Sequence, residues 1–470
     1  MIQNLDRRFV LGGLAALPAC QASGSKFDAQ VIVIGAGLAG LRAAQILSDA
    51  GKDVLVIEGS SRIGGRVHSL DHGSLGYSEG GGAQIGANNK RVISTAKDLN
   101  IELREQTETK TPMAYFYQSQ SYTAEDWKSF AKPPFPTPFD TDAPTAPLRA
   151  LAAQANPLTN LEDWSHSEFC RYDISAQDFL LNAGFQGDAQ KLIEQSFDGN
   201  LLRNFSMMNL YRELTLELNA ENMGPSLRIN GGAQRLPEAM AKALTRDIRL
   251  GQRVKSITSE SDKVTIETVE GKSYRAQHCL CALPFGALRH IAIKAFMPQA
   301  QSTAIRELPH TQILQIHLKA QSAFWEKDGF SADMWTDLPV ERIFAERDTQ
   351  GQPNGLFRIV INGRGALRSI WEDRSALAAR VSEYMKTIRP ASEGKFDVLA
   401  VQDWTTQNKL SGGAYMHWAP GQISQWAEEM GRPGSNVAFA GDQLGRNFTG
   451  MEGALESAEI AARQLLLLRS

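Results

Sequence analysis

The side chains best placed to do chemistry gather around one glycine turn. Gly35-Ala36-Gly37-Leu38-Ala39-Gly40 follows the apolar, β-branched run Val31-Ile32-Val33-Ile34 and opens a helical pattern that ends at Gly51. A second apolar run, Val54-Leu55-Val56-Ile57, stops at Glu58. Strand, glycine turn, helix, strand and acid is an arrangement that binds a dinucleotide. Gly35 permits the tight turn, Gly37 lets the backbone approach a pyrophosphate, and Gly40 lets the helix pack close to the strand. Leu38 and Ala39 lie where a helix N-terminus offers unpaired N–H groups and partial positive charge to phosphates. Glu58 falls where a carboxylate accepts hydrogen bonds from ribose hydroxyls, which disfavours a phosphorylated ribose and hence NADP. Glycine turns are common, and it is the flanking strands, helix and acid at the required spacing that make this one informative. Alone, the arrangement does not separate FAD from NAD.

The next segment does. Arg62-Ile63-Gly64-Gly65-Arg66-Val67 resembles the glycine-glycine-arginine signature of the flavin amine oxidase family. Further patches carry the resemblance along the chain: Glu79-Gly80-Gly81-Gly82-Ala83-Gln84-Ile85-Gly86, Asn230-Gly231-Gly232-Ala233-Gln234-Arg235-Leu236, Cys281-Ala282-Leu283-Pro284, Ser411-Gly412-Gly413-Ala414-Tyr415, and Val437-Ala438-Phe439-Ala440-Gly441-Asp442 with Gly450-Met451-Glu452-Gly453. The resemblance implies FAD as cofactor. It places Gly65 and Arg66 at the diphosphate, an arginine's fork suiting that role. Gly82, Ala83 and Gln84 would lie beside the isoalloxazine, and the Val254 backbone beside the adenine. Gly441 and Asp442 would lie at the ribityl chain and Met451 at the pyrimidine oxygen, where a helix N-terminus aims N–H groups. Some relatives carry, just before the tyrosine, a cysteine that bonds to the flavin. Ala414 stands here, so non-covalent FAD is expected.

The same resemblance assigns the reacting face. Tyr415 matches one wall of an aromatic sandwich, Phe448 is the candidate for the other, and Trp404 matches a tryptophan packed by the flavin. All three have an alternative reading as ordinary core aromatics. The family usually has a lysine ten residues before the tryptophan of a Phe-Trp pair, and its charge is linked to reoxidation by dioxygen. Counting back from Trp325 in Phe324-Trp325 gives Gln315. Slow reaction with dioxygen, and another electron acceptor such as a redox protein, is therefore expected. L-amino acid oxidases of this superfamily place an arginine where Gln84 stands, so an amine without an α-carboxylate is the expected substrate. An L-amino acid oxidase or monooxygenase, a desaturase of a larger apolar substrate, and a non-catalytic FAD-binding protein stay open as alternatives.

These residues need a frame. The expected fold class is α/β, a Rossmann-type FAD-binding domain interleaved with an α+β substrate-binding domain. The FAD-binding parts would be 28–110, 225–300 and 396–470. The substrate parts would be 111–224, mainly helical after a loop with Pro133, Pro134, Pro136, Pro138, Pro144 and Pro147, and 301–395. A chain of 470 residues suits two domains. Its 49 Lys plus Arg against 52 Asp plus Glu give no basic excess, so nucleic acid is not an expected partner. Cys279 and Cys281 share one face of an apolar run, where buried packing explains them better than a metal site lacking further ligands. No metal is expected.

Residues 1–26 read as a targeting segment. Arg7-Arg8 precedes an apolar run to Leu17 that is too short for a bilayer core of about 30 Å. Twin-arginine leaders resemble those of a pathway that exports folded proteins, which suits a protein that must enclose a cofactor first. Leu17-Pro18-Ala19-Cys20 looks like a lipoprotein cleavage box with Cys20 as the lipidated residue. A periplasmic or membrane-anchored location is expected, with a cytoplasmic enzyme as the alternative.

Overall fold

The computed structural model describes residues 27–106, 112–195, 197–220, 224–348, 350–434 and 436–468. The expected leader and the lipidation candidate Cys20 lie outside the described residues, as do the boundaries expected at 110/111 and 26. Among the described residues no helix is long and apolar enough to cross a membrane.

Two seven-stranded sheets organise the chain. In the first, Ala29–Ile34 pairs in parallel with Val54–Ile57 on one side and with Ser273–Cys281 on the other. The near-continuous apolar sequence of these strands follows from burial on both faces, and Val31 to Ile34 are all 2% exposed or less. The long strand Ser273–Cys281 changes neighbours along its length. Its first half pairs antiparallel with Val264–Thr268, and its last three residues pair in parallel with Val437–Phe439. Cys279 and Cys281 are wholly buried there, and burial raises both thiols, Cys281 to about 12, so packing is their role. The helices Leu38–Asp49 and Gly450–Leu467 cover the same face, sharing one apolar cluster with Val31, Val33, Leu280 and Ala438. Segments more than 390 residues apart in sequence thus complete one α/β layer.

The second sheet runs in the order Phe396–Trp404, Ile313–Ala320, Pro353–Asn362, Arg342–Arg347, Met334–Thr336, Ala114–Tyr117, Gln120–Tyr122. Helix Leu377–Ile388 buries Leu377, Val381 and Met385 against one face of it, with Leu314, Ile316, Ile359 and Ile361 beneath. Helices Ala124–Phe130, Pro147–Ala155, Ala176–Asn182, Asp188–Gln195 and Met207–Ala220 supply the helical part, and the proline-rich stretch 132–146 carries no helix or strand. The strand Phe396–Trp404 pairs with Ile313–Ala320 over eight register positions. Those nine residues therefore belong to the second sheet, and the change of layer falls after Trp404, beyond the expected 395/396.

Candidate active site

The turn 35–37 ends the first strand of the first sheet. Gly35 has φ of +103°, and a Cβ there would sit 3.0 Å from the Leu283 side chain; at Gly40 it would sit 1.9 Å from the Gly35 carbonyl oxygen. Those two glycines are fixed by the chain's own crowding. Gly37 is not, since a Cβ there meets nothing closer than 3.9 Å. Its open side faces a cavity of about 350 Å³ lined by residues of both layers.

Two helices begin at this cavity. Leu38–Asp49 has Gly37 as its N-cap and Gly450–Leu467 has Thr449, and neither cap residue bonds its side chain to the first turn. Each helix start therefore offers free N–H groups and a positive dipole end. Glu58 Oε2 accepts from the Ala36 N–H at 2.7 Å and its Oε1 from the Ser60 N–H at 2.8 Å. That holds the carboxylate on the cavity wall at the end of the second strand. Backbone bonds from Glu58 to Arg249 and from Gln252 to Glu58 bring the segment before Val254 alongside it.

Arg66 and Asp442 meet across the cavity. Arg66 Nη2 donates to Asp442 Oδ1, and Nη1 donates to the Ala414 carbonyl at 2.9 Å and to Asp442 Oδ2 at 3.3 Å. Asp442 comes from the segment after the strand Val437–Phe439, so this pair joins residues 376 apart in sequence.

The opposite wall belongs to the second sheet and the loop 411–415 beside it. Ile313 and Gln315, Trp404, Ala414 and Tyr415 line it. Trp404 donates from Nε1 to the Gly80 carbonyl at 2.6 Å, which fixes the indole against the strand Tyr77–Gly81. Tyr415 is set by two backbone bonds with Thr311, one on each side of the tyrosine's own peptide, and its hydroxyl donates to the Asp198 carbonyl at 2.9 Å. Burial first, then the Asp198 carboxylate, push the Tyr415 phenol well above its ordinary value, so it stays protonated. Gln315 is 9% exposed and its Oε1 has no hydrogen-bond partner among the described residues. A buried, unpartnered carbonyl in a cavity wall is a group that awaits a donor.

Of the residues singled out from the sequence, Gly35, Gly37, Leu38, Ala39, Glu58, Gly65, Arg66, Gly82, Gln315, Trp404, Tyr415, Gly441, Asp442 and Met451 all line this one cavity. Gly40 lies behind the turn. Ala83 is half-buried and Gln84 exposed next to the lining glycines, and Val254 begins the strand Val254–Ser259. Phe448 is placed elsewhere: the Arg91 guanidinium stands 5.9 Å from its ring. The aromatic that clusters with Tyr415, Ile313, Val360 and Trp404 is Phe344. The cavity also takes in Ile313, Leu410 and Ser60, which stand in none of the recognised motifs. Ile313 is nonetheless implied by Gln315, because the two are alternate residues of one strand and share a face.

An adenine–flavin dinucleotide fits these residues. The turn is open where Gly37 faces the cavity, two uncapped helix starts converge on it, an acid stands at the second strand's end, and the far wall presents an orphaned amide oxygen. No cysteine is among the lining residues. Among the described residues, no group of three or more His, Cys, Asp or Glu could hold a metal ion.

Comparison with known proteins agrees with this geometry. A sequence model for flavin containing amine oxidoreductases matches residues 38–466. A flavin-containing amine oxidase of Danio rerio is 24% identical over 456 residues, covering 93% of this chain and 85% of its own. Flavin-containing amine oxidase A of Bos taurus is 22% identical over 459 residues, covering 94% and 86%. Among solved structures, cyclohexylamine oxidase from Brevibacterium oxydans superimposes with a TM-score of 0.72 at 22% identity, over 93% of this chain and 98% of that one. A putrescine oxidase bound to putrescine gives 0.71 at 20% identity, over 93% and 99%. At these identities the structural likeness speaks for the fold.

Proposed function

Because the chain belongs to the flavin-containing amine oxidoreductase family, and is thereby an FAD-dependent oxidoreductase acting on amines, we propose that its substrate is an amine without an α-carboxylate, oxidised to the imine. The observation that carries this is the neutrality of the substrate-facing wall. Ile313, Gln315, Trp404, Ala414 and Tyr415 bring no formal charge to the cavity, and the arginines beside them are already paired, Arg66 with Asp442 and Arg342 with Asp198. A substrate carboxylate would be desolvated there without a partner, which costs far more than a modest binding gain returns. The same wall disfavours an ammonium relative to the uncharged amine, and the uncharged amine is the form that can give up its electrons.

When bound, FAD supplies the two-electron acceptor. The residues that would hold it are the N–H groups of the turn 35–38 and Arg66 at the phosphates, Glu58 at the ribose, Asp442 at the ribityl hydroxyls and the Met451 N–H at the pyrimidine. A helix start is worth only about 0.3–1 kcal/mol to an exposed anion, so the Arg66 fork and the enclosure of the cavity must supply the rest. The chain's own contribution to turnover is to orient the amine between Tyr415 and the Gln315 wall, and to exclude water. Holding that geometry is the task of the Tyr415–Asp198 and Trp404–Gly80 hydrogen bonds.

Anaerobic mixing of the purified yellow protein with a panel of amines and their α-carboxylated counterparts tests the reading. Amines are expected to bleach the flavin spectrum, with the carboxylated versions at least about tenfold lower in kcat/KM. A preference for amino acids would transfer the protein to the L-amino acid oxidases, and inertness towards every amine would favour a non-catalytic FAD-binding role.

The acceptor and the location belong to the same proposal. Gln315 in place of a lysine supports slow reaction with dioxygen and transfer to a redox protein. Arg7-Arg8 and the short apolar run after them support export to the periplasm, with a lipid at Cys20. Fractionation of cells producing the intact chain checks this: periplasmic or membrane-bound protein is expected, lost on Arg7→Lys with Arg8→Lys, whereas unchanged cytoplasmic protein in both would refute export.

A further inference from the structure

The wall that faces the cavity continues outward along one strand. Within Ile313–Ala320, side chains alternate, so Ile313, Gln315, His317 and Lys319 share a face. Ile313 and Gln315 line the cavity. Lys319 lies at the outer end, donating to the Asn354 carbonyl at 3.4 Å. His317, between them, is 1% exposed. The strands His68–Asp71 and Tyr77–Gly81 form a hairpin over this face, with Gly80 and Gly81 in the cavity wall and the turn 73–76 exposed.

The hairpin brings a chain of exchangeable groups to His317. Ser78 Oγ lies 2.7 Å from His317 Nδ1 and 2.7 Å from His72 Nε2, and His72 adjoins the exposed turn. At the inner end two buried atoms, Gln315 Oε1 and His317 Nε2, make no hydrogen bond among the described residues. Their side chains leave one strand face two residues apart, roughly 6–7 Å between Cα atoms. A water shared between them would satisfy both.

We propose that such a water, then His317, Ser78 and His72, form a proton path from the cavity to solvent, which removes the proton a substrate ammonium must lose before its amine is oxidised. The inference rests on the amine-oxidising reading above. The ammonium N–H bond breaks with its electron pair left on nitrogen. One proton enters His317 at Nε2 as another leaves Nδ1 for Ser78 Oγ; the hydroxyl passes its own to His72 Nε2, and His72 releases one from Nδ1 to bulk water. No electrons travel along the path, and each group keeps its proton count while the imidazoles exchange tautomer.

The surroundings suit a carrier that stays neutral. Burial first, then the Arg358, His72 and His68 side chains, lower His317 to about 3. Arg358 is its register partner on Pro353–Asn362, and Glu346 on the next strand stands 3.8 Å from Arg358. Asp71 and His68 come from the hairpin, where Glu79 is turned away to Ser69 and the Ala233 N–H. The hairpin's remaining imidazole is no equivalent exit, because His68 Nδ1 meets the Gln402 side-chain oxygen at 2.8 Å, and an amide does not relay protons readily.

Ser78→Ala and His317→Gln in the FAD-loaded protein test the path. Anaerobic bleaching by an amine that bleaches the wild type is followed from pH 6 to 10, in H₂O and D₂O. Each variant is expected to slow bleaching about 10- to 100-fold where the amine arrives as ammonium. The deficit should shrink as pH rises and the amine arrives neutral, and the wild-type solvent isotope effect should change. A merely structural role would lower the melting temperature and slow bleaching equally at every pH, which overturns the proposal, as does an unaltered rate. If no amine bleaches the wild type, the amine reading itself has failed. Independently of turnover, ¹⁵N NMR of histidine-labelled protein without substrate should show His317 neutral down to pH 5, its ring-nitrogen shifts moving in Ser78→Ala. Protonation of His317 above pH 5 would make it a charged store and refute the path.

Discussion

Gln315 occupies the cavity wall beside Ile313 and pairs in register with Val360 and Gln402, all uncharged. Its amide can hold a water but brings no positive charge to negative charge developing nearby. A unit charge about 4 Å away at an effective dielectric of about 20 is worth about 4 kcal/mol, enough to change a rate by orders of magnitude. Gln315→Lys is therefore expected to speed reoxidation of the reduced protein in air-saturated buffer by about tenfold or more. The ammonium would be buried without a carboxylate partner, since Asp442 is engaged by Arg66, so its pKa would fall and the protein would lose stability, about 1–3 kcal/mol. Stopped-flow mixing reads the rate directly. An unchanged reoxidation rate, in a variant that still binds FAD and melts cooperatively, would mean that charge at this position does not limit the reaction with dioxygen.

At the level of elements, what could be read from the sequence was what is local. The strand, turn, helix, strand and acid of residues 29–58 are each written in a short window, and the structure assembles them as written, because apolar runs, glycine spacing and a terminal carboxylate need no distant partner to be recognised. The sheet membership of Phe396–Trp404 was not legible. Its residues resemble the last FAD-binding segment in sequence position, yet their hydrogen bonds go to Ile313–Ala320, and pairing across some eighty residues leaves no local mark. Phe448 shows the same limit. An aromatic near a glycine-rich helix start is a reasonable wall for a flavin site, but the loop turns its ring towards Arg91, while Phe344, from a strand a hundred residues earlier, packs on the same Ile313, Val360 and Trp404 core as Tyr415. The hairpin that lays Ser78 on His317 joins residues 239 apart, so the polar chain between cavity and solvent was visible only once the layers were stacked.

Across the whole molecule, buried imidazoles sit at the joints between the two layers. His310 and His417 brace the backbone that carries Tyr415, with His417 Nδ1 3.0 Å from Thr311 Oγ1, and His317 lies under the hairpin that bears the lining glycines. Burial is the main reason His310 and His317 are lowered to about 3 and His417 to about 4. In the unfolded chain each titrates near 6.5. Their contribution to stability is therefore complete above pH 6.5 and is lost as pH falls towards 3, because the unfolded state binds protons that the folded state refuses. Glu341 acts in the opposite sense: burial raises it to about 8, so its contribution is present below about 4.5 and lost as pH rises through 8. Between pH 6.5 and 4.5 the two effects oppose, but one carboxyl offsets only about a third of what three imidazoles lose. Below about 4.5 the imidazoles meet no such opposition, and three of them amount to at most about 4 kcal/mol per pH unit. Thermal melting is expected to fall already from pH 6.5 to 5 and more steeply from 4.5 to 3.5, with near-ultraviolet circular dichroism lost early because the joints carry Trp404 and Tyr415. His417→Gln, which cannot charge, should flatten that fall by roughly a fifth of its slope, since His417 itself begins to bind protons near pH 4. A melting temperature that holds constant down to pH 3.5, or a variant that falls as steeply as the wild type, would show that these imidazoles are not what couples the layers.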